Sequence, residues 1–69
     1  MGEKVTVKIK YKNYRGEISN RNITPFRIRF TVNKYHTERQ WLLTAYDHGK
    51  EDMRFFAVKD ILKWEVLDD

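Results

Sequence analysis

Residues 4–12 alternate strictly between apolar and polar side chains. Val5, Val7, Ile9 and Tyr11 share one parity, and the other parity carries polar residues, four of them lysines. A period of two sustained over this length is typical of a β-strand with one buried face, whereas an amphipathic helix needs spacings of three and four. The chain therefore starts with a strand that must find partners in a sheet.

The next segment predicts a hairpin. The polar tetrad 13–16 ends in Gly16, which tolerates positive φ, so it is expected to form the hairpin loop. A second strand is expected over residues 17–24. Ile18 and Ile23 fall on opposite parities, which predicts a bulge or a strong twist between them. Pro25 is expected to end this strand, because proline cannot donate to a ladder.

Further strands are predicted at residues 26–32, 40–46 and 53–57. Residues 40–46 carry apolar side chains on both parities, which indicates burial on both faces or a sharply coiled strand. The spacing of Val58, Ile61 and Leu62 then predicts one helical turn before a short closing strand. Trp41 and Trp64 occupy apolar positions and are predicted to lie in the core.

These elements indicate one all-β domain over residues 1–69, without linker or repeat. A short chain that must protect its sheet edges usually closes on itself. The expected fold is a small SH3-like or Sm-like barrel of five to six strands with one short helical turn before the last strand. An OB-fold is the main alternative, but it normally needs a longer chain and a true helix.

Composition narrows the setting of the protein. The chain has no cysteine, which excludes disulfides and thiolate zinc sites and fits a reducing compartment. No segment approaches the roughly 18 apolar residues that a membrane-spanning helix needs, and the start has no secretory signal. We therefore predict a cytoplasmic domain that does not enter a membrane.

The sequence offers little for catalysis. Ser19 is the only serine and has no nucleophile motif around it, and the three glycines are too scattered to cradle a phosphate. The acidic segment 47–52, which includes His48, matches no metal-ligand spacing and is interpreted as a solvated loop. We predict that the chain is not an enzyme and holds neither cofactor nor metal.

Charge favours binding as the function. The net charge is +4 and the pI is near 9.5, which favours an anionic partner. Basic residues interleaved with candidate exposed rings at Tyr14, Tyr35 and Tyr46 are typical of surfaces that hold single-stranded nucleic acid. The lysines of the first strand could equally serve only to keep that face soluble.

Five short motifs, in order, resemble the WYL domain. They are Ile9-Lys10-Tyr11, Arg15-Gly16-Glu17, Arg21-Asn22-Ile23-Thr24-Pro25, Trp41-Leu42-Leu43-Thr44-Ala45-Tyr46-Asp47-His48 and Arg54-Phe55-Phe56-Ala57-Val58-Lys59-Asp60-Ile61. The chain departs from the family pattern at Leu42, where the motif has tyrosine, and at Lys59-Asp60-Ile61, where the motif has an arginine in the middle. No DNA-reading helix precedes the domain, so a free-standing module or a fragment of a longer regulator is expected.

The resemblance implies a sensor module of bacterial transcription regulators and defence-associated proteins. It implies a basic, aromatic pocket for single-stranded DNA, RNA or a nucleotide. Carried over to this sequence, the ligand-binding residues are Tyr11, Arg21, Trp41, Tyr46, His48, Arg54 and Lys59, with Lys59 supplying a displaced positive charge. The alternative is an SH3-like module that binds another protein or a second copy of the chain.

Overall fold

The computed structural model describes residues 5–67, and its regular structure is β-strand apart from one 3₁₀ turn. No helix in this range is long and apolar enough to cross a membrane. The predicted all-β fold, with a helical turn before the last strand, is confirmed. The elements are β1 (Thr6–Lys12), β2 (Ile18–Thr31), β3 (Gln40–Asp47), β4 (Asp52–Ala57), the 3₁₀ turn (Val58–Asp60) and β5 (Ile61–Leu67).

The five strands form one antiparallel sheet in the order β4-β3-β2-β1-β5. The first four strands pair as consecutive hairpins, and β5 returns to pair with β1. Within residues 5–67 no ladder joins β4 to β5, so the sheet is open at these two edges. The hydroxyl of Tyr11 accepts a hydrogen bond from the backbone N–H of Ala57 at 2.9 Å. This bond connects β1 to the end of β4 across the core.

The long strand β2 differs from the prediction. Residues 18–31 form one strand, of which the first part pairs with β1 and the second with β3. Pro25 does not end it, because it lies at a shift in the β2–β3 register between Pro25 and Arg27. Irregular positions of this kind accept a residue without an N–H.

Of the bulge or strong twist predicted between Ile18 and Ile23, the bulge is wrong. This stretch pairs with β1 in an unbroken register. Ile18 has the opposite parity because it lies on the outer face, opposite Lys12, and is exposed, whereas Ile23 is fully buried. The Gly16 turn is confirmed, with φ at 83°.

The core gathers the inward side chains of the first four strands. The apolar face predicted for β1 is confirmed at Val7, Ile9 and Tyr11, which are buried, while the lysines of this strand at positions 8, 10 and 12 are exposed. Val5, just before the strand, is exposed, and Lys4 lies outside the described residues. Burial on both faces of β3 is confirmed by Leu42 and Leu43. The core cluster consists of Val7, Ile9, Tyr11, Ile23, Leu43, Ala45 and Phe56, with Ile61 packed against it.

The core placement predicted for the two tryptophans is wrong. Trp41 is 55% exposed and Trp64 is 48% exposed. Trp64 points to the inward side of the sheet, as its buried partner Ile9 shows, but it lies on the edge strand β5. Trp41 lies near the start of β3, opposite Phe30, which is itself half exposed. Trp41 packs against Phe30 with ring centroids 5.3 Å apart. Among residues 5–67, no strand lies beyond β5 to cover Trp64.

Candidate ligand-binding cleft

Arg21 is held in place by a buried carboxylate. Its Nη1 lies 2.7 Å from Oδ2 of Asp47, whose side chain is 1% exposed. Oδ1 of Asp47 accepts the backbone N–H groups of Gly49 and Lys50 at 3.0 and 3.2 Å. The interpretation of segment 47–52 as a solvated loop is therefore wrong at its first residue, which connects the β3–β4 turn to β2. The arginine retains a partly exposed guanidinium.

His48 is fixed from three sides. Its Nε2 lies 2.7 Å from Oγ1 of Thr24, and its backbone N–H donates to the carbonyl of Asn22 at 2.9 Å. The imidazole also meets the ring of Tyr46 edge to face, with centroids 5.1 Å apart. These contacts tie the β3–β4 turn to the middle of β2 and leave the imidazole in one defined position.

Tyr11 keeps its phenolic proton at neutral pH. Burial raises the pKa of this hydroxyl above its ordinary value of 10.0; the hydrogen bond from Ala57 opposes the rise, Asp60 adds to it, and the charge of Arg21 opposes it. The ring packs edge to face on Phe56, with centroids 4.9 Å apart. Because the oxygen accepts from Ala57, the hydroxyl can donate its own proton to a bound group.

A cleft opens above Tyr11 between the β1–β2 hairpin loop, the loop after β2, and β4. The rings of Tyr14 and Tyr35 stand at its rim and are 90% and 72% exposed. Asp52 is the one carboxylate that lines it within residues 5–67. The basic residues that line the cleft come from four separate segments: Arg21, Lys34, Lys50 and Arg54.

A shallower depression adjoins this cleft and shares Arg21 and Lys50 with it. His48 and Lys8 line the depression, together with the polar residues on the first half of β2. The two surfaces therefore form one continuous basic region around Arg21, with aromatic rings on the cleft side. Such a region can contact phosphate groups through its cations and planar groups through its rings.

The sequence matches the family model for the WYL domain over residues 1–66. The chain belongs to the WYL domain family. The resemblance seen in its motifs is thus confirmed, and this family consists of regulatory, ligand-sensing domains. Neither the curated proteins nor the solved structures gave a match.

The fold of this WYL domain brings together some of the expected ligand residues. Tyr11, Arg21 and Arg54 line the same cleft, and His48 lines the adjoining depression. They come from β1, β2, β4 and the β3–β4 turn. Two strands separate β4 from β1 in the sheet, so they meet across the core, where Ala57 at the end of β4 contacts Tyr11. Their role in binding stays a prediction.

Three expected ligand residues of the WYL domain line neither surface. Trp41 lies near the start of β3, away from the β3–β4 turn, and Lys59 lies in the exposed 3₁₀ turn. Tyr46 touches His48 but does not reach either surface. Leu42, at the position of the motif tyrosine, is buried and offers no polar group.

The sequence did not identify Lys34, His36 and Lys50 as neighbours of this cleft. They sit in loops whose position depends on how the sheet folds. The loop after β2 is shaped by Asn33, whose Oδ1 accepts the backbone N–H groups of Tyr35 and His36 at 2.9 and 2.7 Å. The available sequence signal for this ordered loop was Asn33 followed by Tyr35 and His36 in a polar segment.

Proposed function

We propose that this WYL domain is a non-catalytic sensor that binds single-stranded nucleic acid or a nucleotide in the cleft above Tyr11. The observation that supports it is the meeting of four basic side chains and two exposed tyrosine rings around one cleft. Phosphates can be neutralised by the cations while bases stack on the rings, which is the usual way to hold a single strand.

The basic residues have different parts in this proposal. Lys34, Lys50 and Arg54 have no ion-pair partner within residues 5–67, so their full charge is available to phosphate. Arg21 is partly neutralised by Asp47, but the ion pair fixes its direction. We therefore assign most of the affinity to the first three and the positioning of one phosphate to Arg21.

The proposal includes the cellular setting. A bacterial cytoplasmic regulator, which changes transcription or a defence response when the ligand binds, is the setting that the family resemblance implies. The absence of cysteine is compatible with a reducing compartment.

Fluorescence anisotropy with a short labelled oligothymidylate tests the proposal. Log affinity is expected to fall linearly with log salt, by about 0.7 for each phosphate contacted. Arg54→Ala should weaken binding and reduce this slope by about 0.7. The matched control is Arg29→Ala, because Arg29 is an exposed arginine that lines neither surface.

Equal losses in the two variants would mean that only net charge matters, and this would contradict a cleft site. No binding of DNA, RNA or nucleotide at low salt would contradict the proposal as a whole. Competition by an unlabelled RNA oligomer and by a mononucleotide then ranks the ligand classes.

A further inference from the structure

The edge strand β5 exposes a row of apolar side chains. Leu62, Trp64 and Val66 are each about half exposed, at 49%, 48% and 51%. Trp64 and Val66 are in register with β1, whereas Leu62 lies at a shift in the β1–β5 register, between Lys63 and Ile61. Trp64 lies opposite Ile9 and Val66 opposite Val7, and these two partners on β1 are almost fully buried. The inner face of the sheet is thus buried as far as β1, but its inward side chains on β5 remain exposed to solvent. An uncovered apolar edge strand is a ready template for another strand.

The opposite face of β5 carries one positive and one negative charge, at Lys63 and Glu65. Glu65 lies across the ladder from Lys8, an opposite-charge pair. Lys63 lies across from Lys10, a like-charge pair that is unfavourable in a sheet. Within residues 5–67 the structure gives Lys63 no ion pair. An acidic residue on the free side of β5 would relieve this repulsion.

We propose that β5 pairs with β5 of a second copy of this chain, antiparallel and with the two-fold axis at Trp64. In that register Lys63 of each chain lies opposite Glu65 of the other, twice per dimer. The two copies of Trp64 meet at the axis. The pairing is regular over residues 63–66, and Leu62, at the register shift, lies at its end. The charge pattern of this strand is therefore complementary to itself, as an isologous interface requires.

In this dimer register, each face of the paired β5 strands has favourable cross-strand pairs. Opposite charges face each other on the outer face, and the two copies of Trp64 face each other on the inner face. A shift by one residue would place Lys63 opposite another copy of Trp64 and lose both charge pairs. A strand of a different protein would need the same alternation of charges to fit as well, so we commit to the second copy.

The dimer leaves the ligand surfaces open. No residue of β5 lines the cleft or the adjoining depression. Pairing through β5 would give one continuous sheet of ten strands with a cleft on each half. Self-association and ligand binding can therefore be tested separately, and failure of one does not imply failure of the other.

Sedimentation velocity over a range up to about 1 mM protein tests the interface, since pairing of single strands buries little area and gives weak association. Lys63→Glu and Glu65→Lys each place like charges opposite each other at both positions of the dimer. Each is expected to raise the dimer dissociation constant about tenfold or more. The double variant Lys63→Glu/Glu65→Lys reverses both pairs and should restore the wild-type constant.

A mixture of the two single variants gives the sharpest result. Lys63→Glu carries two acidic residues and Glu65→Lys two basic ones, so the mixed dimer should form although each variant alone dissociates. Misfolding cannot imitate this pattern. Lys63→Glu also replaces the repulsion from Lys10 by an attraction, so its urea midpoint should not fall.

Two results would overturn the proposal. One is a monomer at every concentration. The other is a dimer whose dissociation constant is the same in the wild type and in both single variants, which would place the contact on β4 or on another surface.

Discussion

Nη1 of Arg21 and Oδ2 of Asp47 lie 2.7 Å apart, with the carboxylate buried and the guanidinium reaching the cleft. The contact joins two strands, and the same carboxylate orders the β3–β4 turn. Arg21, a residue of the proposed binding surface, therefore also contributes to the stability of the fold. Any variant of this pair must be tested for stability before its effect on binding is interpreted.

Asp47→Ala is expected to destabilise the domain by about 2–4 kcal/mol. It removes the partner of a partly buried arginine and leaves two turn N–H groups without an acceptor. Asp47→Asn retains one acceptor oxygen and should cost less. Urea denaturation measures both, and equal losses would show that the hydrogen bonds to the turn contribute nothing.

Tyr11 makes the stability of the domain fall at alkaline pH. Its pKa is raised in the folded state above the ordinary value of 10.0, so the folded chain binds this proton more tightly than the unfolded chain. The resulting stabilisation is complete below about pH 10 and is lost as the pH rises through the higher folded-state pKa. Urea midpoints from about pH 8 to about pH 11 should show this fall.

Tyr11→Phe is the control for this pH dependence. It removes the titrating hydroxyl, so its stability should fall less steeply over the same interval. At neutral pH it should cost about 1–2 kcal/mol, because the buried N–H of Ala57 loses its acceptor. Identical slopes in the two proteins would assign the alkaline loss to another group.

Glu51→Gly is expected to stabilise the β3–β4 turn by about 0.5–1 kcal/mol. Glu51 has φ of 56°, a left-handed conformation that costs a residue with a Cβ more than it costs glycine. Its side chain is exposed, and its backbone N–H already donates to the carbonyl of Asp47 at 2.7 Å. Thermal unfolding measures the gain, and a loss of stability would mean that the side chain makes a favourable contact.

Tyr14→Ala together with Tyr35→Ala should weaken oligonucleotide binding by about 1–3 kcal/mol for each base that stacks. Both rings are largely exposed, so the urea midpoint should stay close to that of the wild type. Trp41→Ala is the matched aromatic control, because this ring is exposed but lies outside the cleft. If Trp41→Ala weakens binding and the tyrosine variant does not, the binding face lies near the start of β3.

The parts of the fold that follow from local pattern were predictable. The alternation of Val7, Ile9 and Tyr11 is a property of neighbouring residues, and so is the φ-permissive turn at Gly16. The prediction that Pro25 ends the strand is wrong because the effect of a proline depends on the register of the opposite strand. A shift in the ladder accepts a proline, and only the β2–β3 register shows that a shift is present.

The candidate site was predictable only in part, because the burial of a side chain depends on tertiary contacts that the sequence does not show. The family motifs named Tyr11, Arg21, His48 and Arg54, which the sheet brings to one region. Burial of Asp47 could not be inferred, since a charged residue next to a turn is usually solvated. It is buried here because Arg21 and two backbone N–H groups compensate the loss of water.

The ladder between β1 and β5 joins strands that are much farther apart in sequence than those of the other ladders. Thr6 pairs with Leu67, whereas every other ladder joins strands that follow each other along the chain. Contacts between distant segments carry the largest loop-closure entropy, so they form late in folding. We expect the four-stranded meander to form first and β5 to dock onto it last. The strand that completes each domain would then be the one proposed to pair with a second copy, and dimerisation would couple the last folding step to protein concentration.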